Sequence, residues 1–160
     1  MNKGAYFSSD RMYRYLLCRV WDERKPYVLF IGLNPSTADE NLDDPTIKRC
    51  MAFAGLWGYG GLYMANLFGF RATSPTTLKL TQDPIGPEND RYLLEYAESA
   101  DLVVAAWGNG GKYLNRGKEI LAHLPNPHYL HLTNEGQPQH PLYLRHDLRP
   151  ISYELPKEGI

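Results

Sequence analysis

The chain of 160 residues has almost no net charge, since 17 Lys and Arg stand against 18 Asp and Glu to leave −1 at pH 7. A balance this even excludes the global basic field that draws a protein onto a polyanion, and it counts against a protein that coats nucleic acid. A local basic rim is still open. Cysteine is scarce: Cys18 and Cys50 are far apart and match no metal or redox spacing. No apolar run approaches the length that spans a bilayer, so no membrane partner is expected. The segment Met1-Asn2-Lys3-Gly4-Ala5-Tyr6 lacks the apolar core of a secretory leader. The expectation is a cytoplasmic chain with both thiols reduced.

Several chemical signatures are missing too. Gly108-Asn109-Gly110-Gly111-Lys112 fails as a phosphate loop, because Tyr113 stands where Ser or Thr is required. There is no GxSxG elbow and no dinucleotide fingerprint. His123, His128, His131 and His146 form no ligand pattern, so neither a metal nor a cofactor is expected.

What is present is an ordinary globular composition, 43% hydrophobic and 22% charged, in a length that suits one domain over residues 1–160. Most of the 12 tyrosines and 3 tryptophans are expected to fill its core. Residues 11–21 are too apolar and aromatic for a tail and read as an N-terminal strand. Tyr27–Ile31 is a short apolar run of the kind buried on both faces. Asp44 and Pro45 give a helix start, with Ile47, Met51 and Ala54 at helical spacing and Gly58 as a stop. Gly61–Phe68 and Leu102–Trp107 are further strands, with a helix between them over Glu88–Ala100. A helix over Lys112–His123 and a strand over His128–Thr133 follow. Residues 71–87 are dense in Thr, Ser, Pro and Gly and read as loop.

This alternation implies an α/β fold, a mainly parallel central sheet sandwiched by helices in three α/β/α layers. In such sheets ligands sit beyond the carboxyl ends of the strands. Asn34, Asn66, Gly108 and the loop preceding His140 all fall at that edge.

Each polar candidate there has a plain structural reading beside the functional one. The carboxamide of Asn34 can hold a water or read a heterocycle, or Asn34-Pro35-Ser36 is only a turn. Ser36 and Thr37 are also possible caps. An asparagine in an apolar strand, such as Asn66, must find partners or lose about 1–3 kcal/mol of solvation. It either braces a loop or faces a ligand. His140 lies between prolines in Gly136-Gln137-Pro138-Gln139-His140-Pro141, a stiff setting suited to a catalytic imidazole, though loop histidines are commonly idle. Asp39, Glu40, Asp43 and Asp44 are better explained by capping and a solvated face than by paired acid–base work. Arg71 can meet a phosphate or be structural.

Taken together, Leu33-Asn34-Pro35-Ser36-Thr37-Ala38-Asp39, Asp44-Pro45-Thr46, Asn66-Leu67-Phe68, Arg71-Ala72-Thr73, Gly86-Pro87-Glu88-Asn89-Asp90, Trp107-Gly108 and His140-Pro141-Leu142-Tyr143-Leu144 resemble a bacterial and phage family of unknown function. More distantly, the order of motifs is similar to the uracil-DNA glycosylase superfamily, three-layer α/β domains with a central parallel sheet. Gly32-Leu33-Asn34-Pro35-Ser36 is similar to that superfamily's Gly-x-Asn-Pro-Gly loop except at its last position. Asn66, Arg71 and Pro75 resemble an Asn–Arg–Pro pattern of some members, and His140-Pro141 matches the start of a His-Pro-Ser motif.

The resemblance implies that Asn34 positions a water against the anomeric carbon and that His140 stabilises charge on the departing base. Removing such a donor typically costs about 3–4 kcal/mol. It also implies that Asn66 bonds the base edge, with Gly32, Pro35, Ser36 and Arg71 around the substrate and Phe68, Phe53 or Trp57 stacking on the base. Two departures bear on this. Pro141 is followed by Leu142-Tyr143 rather than Ser-Pro, and Ser36 replaces a glycine.

Three functions follow: hydrolysis of an N-glycosidic bond to a nucleobase in nucleic acid or a nucleotide, a non-catalytic nucleotide- or nucleic-acid-binding module, and an interaction protein whose Asn and His residues only brace loops.

Overall fold

The structure is a computed structural model that describes residues 1–153, so the last seven positions of the expected 1–160 domain lie outside the described residues. Its frame is one seven-stranded sheet with the strand order Asn2–Phe7, Arg14–Val20, Gly61–Asn66, Tyr27–Gly32, Leu102–Ala105, Pro127–Tyr129, Ile151–Ser152. The centre is built from β3 (Tyr27–Gly32), β4 (Gly61–Asn66), β5 (Leu102–Ala105) and β6 (Pro127–Tyr129), all parallel. On one side β2 (Arg14–Val20) runs antiparallel to β4 and β1 (Asn2–Phe7) antiparallel to β2; on the other, β7 (Ile151–Ser152) runs antiparallel to β6. The sheet is therefore mixed rather than mainly parallel.

Successive residues of β3 point to opposite faces, and the core divides accordingly. Val28 and Phe30 pack with Ile47, Cys50, Phe53 and Ala54 of α1 (Pro45–Leu56). Leu29 and Ile31 pack with Leu78 of α2 (Pro75–Leu80), Leu93 and Ala97 of α3 (Asn89–Ser99) and Ile120 of α4 (Arg116–Leu121). β3 is buried on both faces as its continuous apolar run requires. None of the helices among the described residues is long and apolar enough to cross a membrane.

The start of α1 follows the expected chemistry. Asp44 accepts from the Ile47 N–H at 2.8 Å, and Pro45 fills the first helical position. Four expectations need correction. The N-terminal strand is confined to Arg14–Val20 and is preceded by β1. The loop 71–87 contains α2, with Ser74 accepting from Thr77 N–H at 3.2 Å and Pro75 at its first turn. The helix expected over Lys112–His123 is interrupted where Leu114 and Asn115 turn left-handed, at φ 54° and 57°, so only Arg116–Leu121 is α-helical. The last parallel strand stops at Tyr129; beyond it the chain turns back on itself, with Leu132 bridged to Pro138.

Candidate functional site

The carboxyl ends of β3, β4 and β5 open into a cavity of about 840 Å³. Gly32, Asn34, Pro35, Ser36, Asn66, Arg71 and His140 all line it. Phe68 does not: it is 0% exposed and packs in the core against Tyr113, ring centroids 5.5 Å apart. Phe53 and Trp57 likewise stack on each other, at 5.4 Å, in the core under α1. The aromatic residues at the cavity wall are Phe70 and Trp107, whose rings pack into the core. Their signal in the sequence was position alone, one in the loop after β4 and one just past the end of β5.

Asn66 is the last residue of β4 and pairs in register with Gly32 at the end of β3. Its side chain lies so close to the Gly32 backbone that a Cβ added there would stand 2.8 Å from Asn66 Oδ1. Glycine at 32 is therefore a condition for Asn66 to occupy this place. The residue is 2% exposed and its Nδ2 has no hydrogen-bond partner among the described residues. Its backbone, by contrast, is held firmly: Asn89 Nδ2 donates to the Asn66 carbonyl at 2.8 Å and to that of Leu67 at 3.3 Å. Arg116 Nη2 donates to the Leu67 carbonyl at 2.8 Å.

Asn34 donates from Nδ2 to the Ala72 carbonyl at 2.9 Å. That bond fixes the carboxamide and leaves Oδ1 as an acceptor. The Asn34 loop is shaped by Asp44, whose carboxylate accepts from Ser36 Oγ and from the Ala38 N–H at 3.2 Å while also capping α1. Ser36 is thus the partner of a buried carboxylate and not a cap. Arg19, fully buried, draws in the following loop by donating to the Asp39 carbonyl at 2.6 Å, the Leu42 carbonyl at 3.0 Å and Asp43 Oδ1 at 2.7 Å.

His140 arrives from a different direction. Its loop is pinned beside β5 by Gly108 N–H donating to the Pro138 carbonyl at 2.7 Å and by Trp107 Nε1 donating to Gln137 Oε1 at 3.2 Å. His140 begins a 3-10 turn over Pro141–Tyr143, and its Nδ1 accepts from the Leu142 N–H at 3.2 Å. An imidazole that accepts at Nδ1 carries its proton on Nε2 when neutral. Burial lowers the pKa of His140 below 6.5, opposed in part by the Asp44 charge. The neutral ring is therefore the form at pH 7, with an Nε2–H donor to offer.

One lining residue the sequence did not flag is Arg14. It is 3% exposed at the start of β2, where alternation reads simply as strand. Its Nη1 donates to the Ala38 carbonyl at 2.9 Å, while its Nε is buried without a partner. Burial lowers its pKa to about 10, countered by Asp44, so it is a cation at neutral pH. Among the described residues no group of three or more His, Cys, Asp or Glu side chains is placed to hold a metal ion.

No curated protein and no solved structure matches the chain. Residues 14–142 match a family described as a protein of unknown function, DUF1643. That span holds nearly every element of the cavity wall, from Arg14 through Asn34 and Asn66 to His140 and Pro141, and the chain belongs to the DUF1643 family.

Proposed function

We propose that the protein hydrolyses the N-glycosidic bond of a nucleobase carried by a nucleotide or nucleic acid, on a three-layer fold akin to that of the uracil-DNA glycosylases. The observation that carries the reading is the meeting of two carboxamides and a neutral imidazole, from three distant segments, in one cavity at the carboxyl edge of the parallel strands. The chemistry of the three fits the reaction. The unpaired amide donor of Asn66 suits a carbonyl of the base edge. The C1′–N bond breaks with its electron pair moving to the base, and the Nε2–H of His140 meets the charge that develops there. Asn34 Oδ1 accepts from a water whose oxygen bonds to C1′. That water gives up a proton, and the base gains one.

The test is a screen for released free bases from nucleosides, nucleotides and base-modified oligonucleotides. The expected result is release from one class, reduced by about 10²–10³-fold in His140→Ala, the usual loss when a charge-stabilising donor is removed. Release that is unaffected by the substitution refutes the role given to His140.

A second reading, a nucleotide-binding module without turnover, is favoured by Asp44. Its carboxylate is the one buried acid in the cavity wall, and it is already engaged by Ser36, Ala38 and Ile47, which leaves it poorly placed to activate water. Affinity for a nucleotide that persists in His140→Ala, with no base released from any member of the panel, selects this reading.

A further inference from the structure

The cavity holds more positive charge than the proposed base chemistry uses, and the pairing of the chain explains where it comes from. Tyr13 and Phe70 form an isolated antiparallel bridge. It is flanked by bonds from Arg14 N–H to the Gly69 carbonyl at 3.0 Å and from Arg71 N–H to the Met12 carbonyl at 2.9 Å. With alternating sides along each strand, Met12, Arg14 and Arg71 fall on the same face of this short ladder, and all three line the cavity.

The cations of the cavity wall differ in what neutralises them. Arg11, which also lines the cavity, is paired with Glu40 at 3.1 Å. Arg71 has no carboxylate partner among the described residues: its Nη1 donates to the Arg11 carbonyl at 3.2 Å, and its guanidinium lies 4.9 Å from the Phe7 ring centre. Arg14 is the more demanding case. It is 3% exposed and, among the described residues, makes one side-chain bond, to the Ala38 carbonyl, and leaves Nε unpartnered. The Asp44 carboxylate shares the cavity and makes no ion pair with it. A buried guanidinium with this little compensation is costly unless an anion meets it.

We propose that Arg14 and Arg71 form a phosphate subsite, so that the ligand of this cavity is a nucleotide carrying a terminal phosphomonoester. Two guanidiniums on one face match a dianionic phosphate better than a single carboxylate, because each can bond two of its oxygens. Asn66 and His140, which line the same cavity, are left for the base. The burial of Arg14 favours a terminal phosphate, since an internal phosphodiester would have to carry two chain directions past a buried guanidinium. The assignment rests on the reading of the cavity as a nucleotide site.

The experiment is calorimetric titration of the purified protein with the common nucleosides, their 5′- and 3′-monophosphates and inorganic phosphate. Parallel titrations use short oligonucleotides with and without a 5′-phosphate. For at least one base the monophosphate is expected to bind about tenfold or more tightly than its nucleoside, the range of a doubly charged hydrogen-bonded contact. Arg71→Ala and Arg14→Lys should each remove most of that advantage. Arg71 is partly exposed, so its variant reports even where the Arg14 variant fails to fold. Gain confined to mononucleotides assigns a free metabolite, and equal gain from the oligonucleotide's 5′-phosphate assigns a chain end; both support the subsite. Equal affinity for nucleoside and nucleotide, no binding by any phosphate ester, or an advantage that survives both substitutions overturns it. The same panel assayed for free base separates the two proposals: phosphate-dependent binding without release ends the hydrolase reading alone, and release from nucleosides without phosphate preference ends the subsite alone.

Discussion

Asn66 holds a buried carboxamide at the end of an otherwise apolar strand. An amide donor buried without a partner costs about 1–3 kcal/mol, and the side chain of Asn66 makes no hydrogen bond among the described residues to offset it. A residue kept at that expense works against the stability of the ligand-free protein. Asn66→Ala, which opens onto an existing cavity and so encloses no new void, should therefore leave the thermal midpoint unchanged or raise it. In the same variant, affinity for a base-bearing ligand should fall about tenfold or more, as expected when a polar edge loses its partner. Melting curves with and without ligand check both halves, and a clear loss of stability in the ligand-free variant would mean that Asn66 is a structural brace. Gly32→Ala reaches the same side chain from below. Its Cβ displaces the carboxamide at 2.8 Å, so the same titration should show a comparable loss of affinity even though position 66 is untouched.

At the scale of elements, the end of β4 is where function and folding meet. Asn89 at the start of α3 bonds the carbonyls of Asn66 and Leu67, and Arg116 at the start of α4 bonds that of Leu67, so two helices on one face of the sheet fix the strand terminus that presents the site. Arg116 is itself anchored to Asp90 at 2.6 Å. Asn89→Ala removes the donor to two buried carbonyls and should destabilise the protein by about 1–3 kcal/mol, measured as a shift of the urea midpoint. It should also weaken ligand binding, because Asn66 then loses its fixed direction.

Much of this framework was legible in the sequence. The runs Tyr27–Ile31, Gly61–Met64 and Leu102–Ala105 are apolar because they are covered on both faces, and Asp44-Pro45 states a helix start. Asn34, Asn66 and His140 could be placed at one edge because α/β alternation fixes which end of the strands binds. Other features carried no comparable signal. β1 is half-exposed and polar, with the pairing to β2 as its reason for being extended. α2 hid in a Thr- and Pro-rich stretch, although Ser74-Pro75 is itself a start signal. The turn at Leu114 and Asn115 breaks an amphipathic pattern through backbone conformation, which periodicity cannot register. Arg14 escaped because a charged residue in an alternating strand reads as solvent-facing; its burial is set by residues 69–72, remote in sequence.

For the molecule as a whole, stability depends on pH in two separate ranges. His140 is held below the ordinary imidazole value of 6.5, first by burial. The Leu142 N–H, which needs an unprotonated Nδ1, acts in the same direction. The unfolded chain takes up its proton near 6.5 while the folded one still excludes it. Between those values the unfolded state binds more protons, so stability falls as pH drops and levels off once the folded ring titrates. The stabilising contribution is complete above the unfolded value. The carboxylates act lower. Asp39 is depressed below 3.8 by the Leu42 and Asn41 N–H groups, and Asp43 by Arg19. Their contribution is present above the unfolded value and disappears as pH falls through the folded ones. Urea midpoints followed from pH 8 to pH 3, in about half-unit steps, should therefore decline in two phases, one starting near the imidazole value and one in the carboxylate range. His140→Asn should abolish the first phase and keep the second. If the variant and the parent chain lose stability in parallel between neutral pH and the carboxylate range, His140 is not the group excluded from protonation, and the neutral Nε2–H donor assigned to it has no support in the titration.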